Sequence, residues 1–209
     1  MVATDIAGRD IHDPAVLDAM RKVPREEFVP SMYRAEAHAD HPLPIGSGQT
    51  ISQPYIVAMM VELSQLSTRP SELNRVLEIG TGSGYGAAVL SELAAEVVTI
   101  ERHVGIAEAA AATLTRLGYD GIEVLSGDGT VGHLPRAPYN AIIVTAASPE
   151  VPQSLLAQLA DNGRLVIPVG RRSGTQKLVV YTRNGNDIAH KSHGGVRFVP
   201  LIGEEGFSS

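Results

Sequence analysis

EIGTGSGYG, residues 78–86, is the stretch that decides the fold. It follows the short apolar run Arg75–Ile79 and leads into an alanine-rich segment that the pattern predicts as helical to about Ala94. Glycines at a strand-to-helix turn let the backbone turn tightly and approach a ligand closely. Open α/β sheets bind ligands at this position, beyond the carboxyl ends of their strands. We therefore expect a ligand-binding loop here, with a tight turn that binds nothing as the alternative.

Strands and helices alternate on the carboxyl side of this loop. Continuous apolar strands separated by helices indicate a parallel sheet that is covered on both faces. The fold class predicted is α/β, a Rossmann-like, doubly wound, mostly parallel sheet with an N-terminal helical cap and an antiparallel C-terminal edge hairpin. The predicted elements are strands at Glu96–Glu101, Ile122–Leu125, Ala141–Thr145 and Arg164–Pro168, helices at His103–Leu117 and Pro152–Leu159, and a hairpin of Lys177–Thr182 with Val196–Ile202.

The N-terminal third has the pattern of helices and turns. Asp13 followed by Pro14 is a typical helix start, and residues 38–54, with three prolines and no apolar period, are expected to be a long loop. Ser52 would then be the N-cap of the next helix. We expect one domain over residues 1–209, made of N-terminal helices and a long loop (1–74), a ligand-binding core (75–170) and a C-terminal strand pair (171–209).

The composition excludes several classes of function. The chain has 17 Lys and Arg against 23 Asp and Glu, a formal charge of −6, so a nucleic-acid partner is not expected. It has no Cys, which excludes disulfides, thiolate nucleophiles and Cys-ligated metals. No apolar run is long enough for a membrane span and no signal peptide is evident, so we expect a cytoplasmic protein. The histidine pairs 38/41 and 190/193 are read as solvated, not metal-binding, and Arg171-Arg172 with Lys177 as a small solvated basic spot.

Acidic residues are predicted at the ends of three successive strands. Glu101 stands about 20 residues beyond the glycines, where a carboxylate accepts hydrogen bonds from ribose hydroxyls, and Asp128 could accept one from an adenine amino group. Glu78 adds an acid beside the glycine loop. The spacing from Gly80 does not fit G-x-G-x-x-G, because the sixth position is Tyr85. A cationic ligand without phosphates, such as S-adenosylmethionine, fits this acidic pocket better than NAD.

Several segments carry a family resemblance that runs, in order, through roughly residues 20–205. VLEIGTGSGYGAAVL (76–90) resembles the first motif of class I S-adenosylmethionine-dependent methyltransferases. The whole chain resembles the protein-L-isoaspartate O-methyltransferase family, and GQTISQPY and VRFVPL are specific to that family. The matching segments are residues 23–30 (VPREEFVP), 43–58 (LPIGSGQTISQPYIVA), 127–129 (GDG), 141–152 (AIIVTAASPEVP), 164–170 (RLVIPVG) and 196–203 (VRFVPLIG).

The resemblance implies roles for individual residues. Ser52 matches the family's active-site position, with helix capping as its alternative role. Substrate would contact the Ser52 loop and the VRFVPL segment. The implied cofactor residues are Thr50, Ile51, Ser52, Glu78, Gly80, Gly82, Glu101, Gly127, Asp128 and Thr145, and the implied substrate residues are Ser52, Val57, Arg197, Val199 and Pro200. Two positions depart from the family pattern: Asn140 replaces an Asp, and Gly86 replaces a Gln.

The resemblance also implies a reaction and its partners. A monomer would transfer methyl from S-adenosylmethionine to the α-carboxylate of isoaspartyl residues in proteins and peptides, leaving S-adenosylhomocysteine. A carboxylate has a pKa near about 4 and needs no general base at neutral pH, which agrees with the absence of a His–Asp pair. Three alternatives stay open: methylation of aspartate in one dedicated precursor peptide, cofactor binding without catalysis, and NAD-dependent oxidoreduction.

Overall fold

The apolar runs of the sequence form the centre of a seven-stranded sheet in the computed structural model, which describes residues 1–208. A separate two-stranded hairpin lies near the N-terminus. The strands are β1 (Leu43–Gly46), β2 (Gln49–Ile51), β3 (Arg75–Ile79), β4 (Glu96–Glu101), β5 (Ile122–Ser126), β6 (Tyr139–Val144), β7 (Leu159–Val169), β8 (Gln176–Asn184) and β9 (Asp187–Val196). The α-helices are α1 (Pro14–Lys22), α2 (Pro54–Ser64), α3 (Tyr85–Ser91), α4 (Val104–Arg116) and α5 (Gln153–Ala157).

The strand order confirms the predicted fold class. The sheet runs β5-β4-β3-β6-β7-β8-β9. Its first five strands in this order, β5, β4, β3, β6 and β7, are mutually parallel, and β8 is antiparallel to both of its neighbours. The chain goes outward from β3 through β4 to β5 and then returns to the other side of β3 with β6. A crevice forms at such a reversal of strand order, and open α/β sheets bind ligands there.

Both faces of the sheet are covered, as the continuous apolar strands indicated. Val76 of β3 and Ile143 of β6 pack on one face with residues of α1, α2 and α3. Leu77 and Ile142, the neighbouring residues, pack on the other face with Leu155 of α5. Successive side chains of a strand point to opposite faces of the sheet, which places the two sets on opposite sides. The strand ends that carry the glycine loop are therefore fixed from both sides.

The C-terminal hairpin differs from the prediction. Its second strand is β9, Asp187–Val196, and not Val196–Ile202. β9 is an edge strand with mostly exposed side chains, so its sequence lacks the apolar pattern that marks a buried strand. Residues 197–202 instead cross the carboxyl end of β6, where Ala147 N–H donates to Val199 O (2.8 Å) and Leu201 N–H donates to Ala147 O (2.7 Å).

The N-terminal region also holds one correction. Residues 38–54, expected to be a loop, contain the β1–β2 hairpin, in which Leu43 pairs with Ile51 and Pro44 with Thr50. Strands this short carry too few residues to show a period of two. The helix start at Asp13 is confirmed, because its carboxylate accepts hydrogen bonds from Ala15 N–H (2.9 Å) and Val16 N–H (3.3 Å).

Candidate functional site

A cavity of about 940 Å³ opens at the carboxyl ends of β3, β4 and β6, where the strand order reverses. Its walls come from the glycine loop, from the β1–β2 hairpin with the start of α2, and from residues 195–202. The volume suits a nucleoside-sized ligand with part of a second molecule. The predicted site residues that line the cavity are Thr50, Ile51, Ser52, Val57, Glu78, Gly80, Gly82, Glu101, Thr145, Arg197, Val199 and Pro200.

Gly80 begins the glycine loop in a backbone conformation that other residues avoid. Its φ is +95°, and a Cβ placed on it would lie 2.3 Å from Thr145 Oγ1. The Thr145 hydroxyl in turn donates to Gly80 O at 2.8 Å, and Gly80 N–H donates to Ile100 O at 2.8 Å. Glycine is therefore required by backbone angle and by space, and the bare main chain forms part of the cavity wall.

Glu101 holds the turn of the glycine loop from the end of β4. Its Oε2 accepts a hydrogen bond from Gly82 N–H (3.0 Å), and its Oε1 accepts one from His103 N–H (3.0 Å). The side chain is only 6% exposed, and it lines the cavity. A carboxylate has about four acceptor positions. Each oxygen thus keeps capacity for one further donor, such as a hydroxyl of a vicinal diol.

Glu78 is a buried carboxyl that binds a proton tightly. It is 1% exposed, and its Oε2 accepts from the Thr99 hydroxyl at 2.7 Å, while the hydroxyls of Thr99 and Thr81 are 2.7 Å apart. Burial raises the pKa of Glu78 to about 8, the Thr99 hydrogen bond opposes that rise, and the charge of Glu101 adds to it. A Cβ on Gly86 would lie 2.2 Å from Glu78 Oε1. Gly86, which departs from the family pattern, therefore leaves room for the Glu78 carboxyl.

Asp128 has a structural task that the sequence did not indicate. Its Oδ1 accepts from Thr130 N–H (2.8 Å) and from the Thr130 hydroxyl (2.7 Å), and its Oδ2 accepts from Glu204 N–H (2.7 Å). Burial pushes the pKa of Asp128 upward, but these hydrogen bonds from Glu204 and Thr130 outweigh it and leave the pKa below its ordinary value. Gly129, and neither Gly127 nor Asp128, lines the cavity. The contact of Gly127 and Asp128 with adenine stays a prediction.

Ser52 is not the N-cap of α2, so that alternative role is wrong. The helix begins at Pro54, its N-cap residue is Gln53, and the capping acceptor is Asp40, whose Oδ1 accepts from Tyr55 N–H at 3.0 Å. Asp40 Oδ2 also accepts from the Gln53 amide at 2.7 Å. Ser52 lines the cavity and lies just before the two residues that Asp40 holds, Gln53 and Tyr55. These bonds anchor the backbone next to Ser52, and the Ser52 side chain does not cap α2.

Asp40 belongs to a small network that the sequence reasoning missed. Arg9 Nη1 lies 3.0 Å from Asp40 Oδ2, and the Arg9 guanidinium stacks on the Tyr55 ring at 3.5 Å from its centroid. The Tyr55 hydroxyl donates to Asp10 Oδ1 at 2.5 Å. These residues are far apart in the chain, and no local pattern signals their contact. Together they fix the loop that carries Ser52 to the N-terminal segment.

Gln176 fixes the opposite wall of the cavity. The side chain is 1% exposed; its Oε1 accepts from Phe198 N–H (3.0 Å), and its Nε2 donates to Arg171 O (3.1 Å). The bond to Phe198 holds residues 197–200 against the sheet. Arg197, Val199 and Pro200 therefore line the cavity although they form no strand.

Other sequence-level candidates lie outside the cavity. Asn140 Oδ1 accepts from Arg75 N–H at 2.8 Å, at the amino ends of β6 and β3, so this departure from the family pattern is remote from the site. His38 and His41 lie 3.3 and 3.7 Å from the carboxylates of Glu26 and Glu36. Within residues 1–208, no three His, Cys, Asp or Glu side chains are grouped closely enough to hold a metal ion. In the same part of the chain, no helix combines the length and apolar character needed to cross a membrane.

Comparisons with known proteins all indicate the same enzyme family. Residues 1–206 match the family model described as protein-L-isoaspartate(D-aspartate) O-methyltransferase. A curated protein-L-isoaspartate O-methyltransferase of Methanoregula boonei is 56% identical over 209 residues, which is 100% of this chain and 94% of that protein. A solved protein-L-isoaspartate O-methyltransferase has a TM-score of 0.82 and 30% identity, over 94% of this chain and 63% of its own. A second solved structure, described as a putative protein-L-isoaspartate O-methyltransferase from Plasmodium falciparum in complex with S-adenosyl-L-homocysteine, has a TM-score of 0.80 and 24% identity, over 96% of both chains.

Proposed function

This chain belongs to the protein-L-isoaspartate(D-aspartate) O-methyltransferase family, and we propose that the cavity at the strand ends is where it carries out that family's reaction. The protein is an S-adenosylmethionine-dependent methyltransferase that methylates the α-carboxylate of isoaspartyl residues in proteins and peptides. The observation that carries the site assignment is a single cavity lined by both the glycine loop and the Ser52 segment. Cofactor and substrate would meet between them.

The residues of the inner wall fit S-adenosylmethionine. The bare backbone at Gly80, where a Cβ would lie 2.3 Å from Thr145 Oγ1, admits close approach of the methionine part. Glu101, with an acceptor position left on each oxygen, would bind the ribose hydroxyls. The loop of Gly127, Asp128 and Gly129 would lie along the adenine. When bound, the cofactor supplies an electrophilic methyl group on a sulfonium.

The outer wall would orient the carboxylate that accepts the methyl group. In the proposed arrangement Ser52 Oγ donates a hydrogen bond to one carboxylate oxygen and directs the other toward the methyl carbon. Val57, Val199 and Pro200 supply apolar surface that excludes water, and Arg197 holds the peptide. Alignment of the reacting groups can supply about 7–11 kcal/mol of the barrier. No side chain needs to remove a proton, because the carboxylate is already ionised at neutral pH.

The product explains the link with repair. The methyl ester carries methoxide, which leaves far more readily than the oxygen of a carboxylate, so the neighbouring backbone nitrogen can attack the ester carbonyl and close to a succinimide with loss of methanol, without the enzyme. Hydrolysis of the succinimide returns part of the material to ordinary aspartate. The family match over residues 1–206 supports this reaction over methylation of a dedicated precursor, cofactor binding alone or NAD chemistry.

Three further proposals concern the context of the protein. We propose that it is a monomer, as the family resemblance implies, and that it acts in the cytoplasm, in line with a sequence that has no Cys. We also propose that residues 1–209 act as one methyltransferase domain. The cavity supports this, because residues from 1–74, 75–170 and 171–209 all line it.

Two substitutions separate binding from turnover. Glu101→Ala removes two charge-assisted acceptor positions and should weaken S-adenosylhomocysteine binding by tenfold or more in titration calorimetry, equivalent to about 1.5 kcal/mol. Ser52→Ala should lower kcat with little effect on that affinity. Glu96→Ala, at the amino end of the same strand, is the control and should bind the cofactor product normally. Unchanged kcat with a lowered melting temperature in Ser52→Ala would contradict its proposed role.

A further inference from the structure

Two arginines on the peptide side of the cavity lack, within residues 1–208, the carboxylate partners that several other arginines of the protein have. Arg75, Arg116 and Arg136 each pair with a carboxylate at 2.7–3.2 Å. Arg172 and Arg197 line the cavity, and within residues 1–208 neither forms an ion pair. Both side chains are exposed. Within the described residues 1–208, no carboxylate forms an ion pair with these two positive charges at the mouth of the cavity.

The fold holds these two arginines on the same wall. The buried Gln176 side chain bonds to Arg171 O and to Phe198 N–H, the residues next to Arg172 and Arg197. Arg172 Nη1 also donates to Ser208 O at 2.9 Å, which limits the freedom of its side chain. Arg172 lies in the turn between β7 and β8, Arg197 directly follows β9, and the buried Gln176 amide ties both segments to the same wall.

The charges of the cavity divide between its two ends. The Glu101 carboxylate is buried at the carboxyl end of β4, behind the glycine loop, and the neighbouring Glu78 is neutral because burial raises its pKa to about 8. A third lining cation, Arg102, also forms no ion pair within residues 1–208; against the effect of burial, hydrogen bonds from Glu204 and Thr130 lower the pKa of Asp128, and the charge of Arg102 adds to that effect. Arg172 and Arg197 thus make the peptide entrance positive on a protein whose formal charge is −6. Such a local field attracts carboxylates that the protein as a whole repels.

We propose that Arg172, together with Arg197, selects isoaspartyl peptides that carry an acidic side chain close to the methylated residue. The inference rests on the proposed function, since it assumes that the peptide lies along residues 195–200. An extended chain rises about 3.3 Å per residue, so a carboxylate within two residues of the reacting position lies within roughly 7 Å of it along the chain. That separation is within the reach of an arginine side chain on the same wall.

The test compares two isoaspartyl peptides that differ only by Glu or Gln two residues from the isoaspartate. The wild type should have a kcat/KM about two- to fivefold higher for the Glu peptide, and the difference should lie in a lower KM. The factor is small because partly exposed ion pairs stabilise a complex only modestly. Raising the salt concentration should reduce this ratio. Arg172→Gln should bring the ratio toward one.

Arg171→Gln is the matched control, since Arg171 has the same charge and is adjacent in sequence but does not line the cavity. It should keep most of the wild-type ratio. Equal use of both peptides by the wild type, or equal loss of the ratio in the two variants, would overturn the selectivity proposal. If neither peptide is methylated, the proposed function fails and the selectivity fails with it, so the two failures are distinguishable.

Discussion

Glu78→Gln is expected to change the way in which stability depends on pH. The buried carboxyl has a pKa of about 8 in the folded chain, whereas an unfolded glutamate has one of 4.5. Between these values the folded state binds the proton and the unfolded state does not. The stabilising effect of that proton is complete below pH 4.5 and is lost as the pH rises to about 8. Glutamine resembles the protonated carboxyl in shape and remains neutral, so the variant should not lose stability in this window.

The size of the effect follows from the width of the window. Each pH unit inside it changes the free energy of unfolding by up to about 1.4 kcal/mol. From pH 5.5 to 8 the wild type should therefore lose about 3 kcal/mol relative to Glu78→Gln. For a domain of this length, 1 kcal/mol corresponds to about 2–4 °C in melting temperature, so the two curves should separate by roughly 6–12 °C.

The assay is thermal unfolding of both proteins without cofactor, from pH 5.5 to 8.5. Glu96→Gln is the control, because the hydrogen bond from Arg75 lowers the pKa of Glu96 and places its titration below this range. That variant should show no added dependence on pH. Parallel curves for wild type and Glu78→Gln would refute the reasoning, since they would mean that Glu78 is ionised in the folded protein throughout.

Three further substitutions test contacts around the cavity. Asp40→Asn loses the ion pair with Arg9 and one of the two oxygens that accept from Gln53 and Tyr55. We therefore expect kcat to fall and the free energy of unfolding to decrease by about 1–2 kcal/mol. Cofactor affinity, measured by calorimetry, should change little. Gly80→Ala adds a Cβ 2.3 Å from Thr145 Oγ1 at a φ of +95°, so S-adenosylhomocysteine binding should weaken at least tenfold; wild-type affinity would contradict the close approach. Gly203→Ala places a Cβ 2.0 Å from Asp128 Oδ1, so hydrogen exchange should rise in residues 201–208 while the sheet stays protected.

The buried parts of the fold could be predicted from the sequence because burial leaves a pattern. β3 and β4 have the predicted bounds, Arg75–Ile79 and Glu96–Glu101, since strands covered on both faces are continuous apolar runs. The exposed edge strand β9 has no such pattern and was missed. α3 ends at Ser91 and not near Ala94, because alanine favours helix without marking where a helix ends.

The site residues also divide into those that a local sequence motif reveals and those that it does not. Gly80, Glu101 and Ser52 lie in local motifs, and the cavity brings these residues together. Asp40 and Gln176 act through contacts between segments far apart in the chain, which no spacing reveals. The proton on Glu78 depends on the surroundings of the carboxyl and not on its motif, so a site with three acids in its motifs contains one carboxyl that is neutral at pH 7.

The most direct test of the account is methyl transfer from labelled S-adenosylmethionine to two peptides of one sequence, one with an isoaspartyl and one with an aspartyl residue. We expect label only in the isoaspartyl peptide, in a base-labile ester, followed by appearance of the aspartyl form. Equal labelling of the two peptides, or labelling of neither, would contradict it.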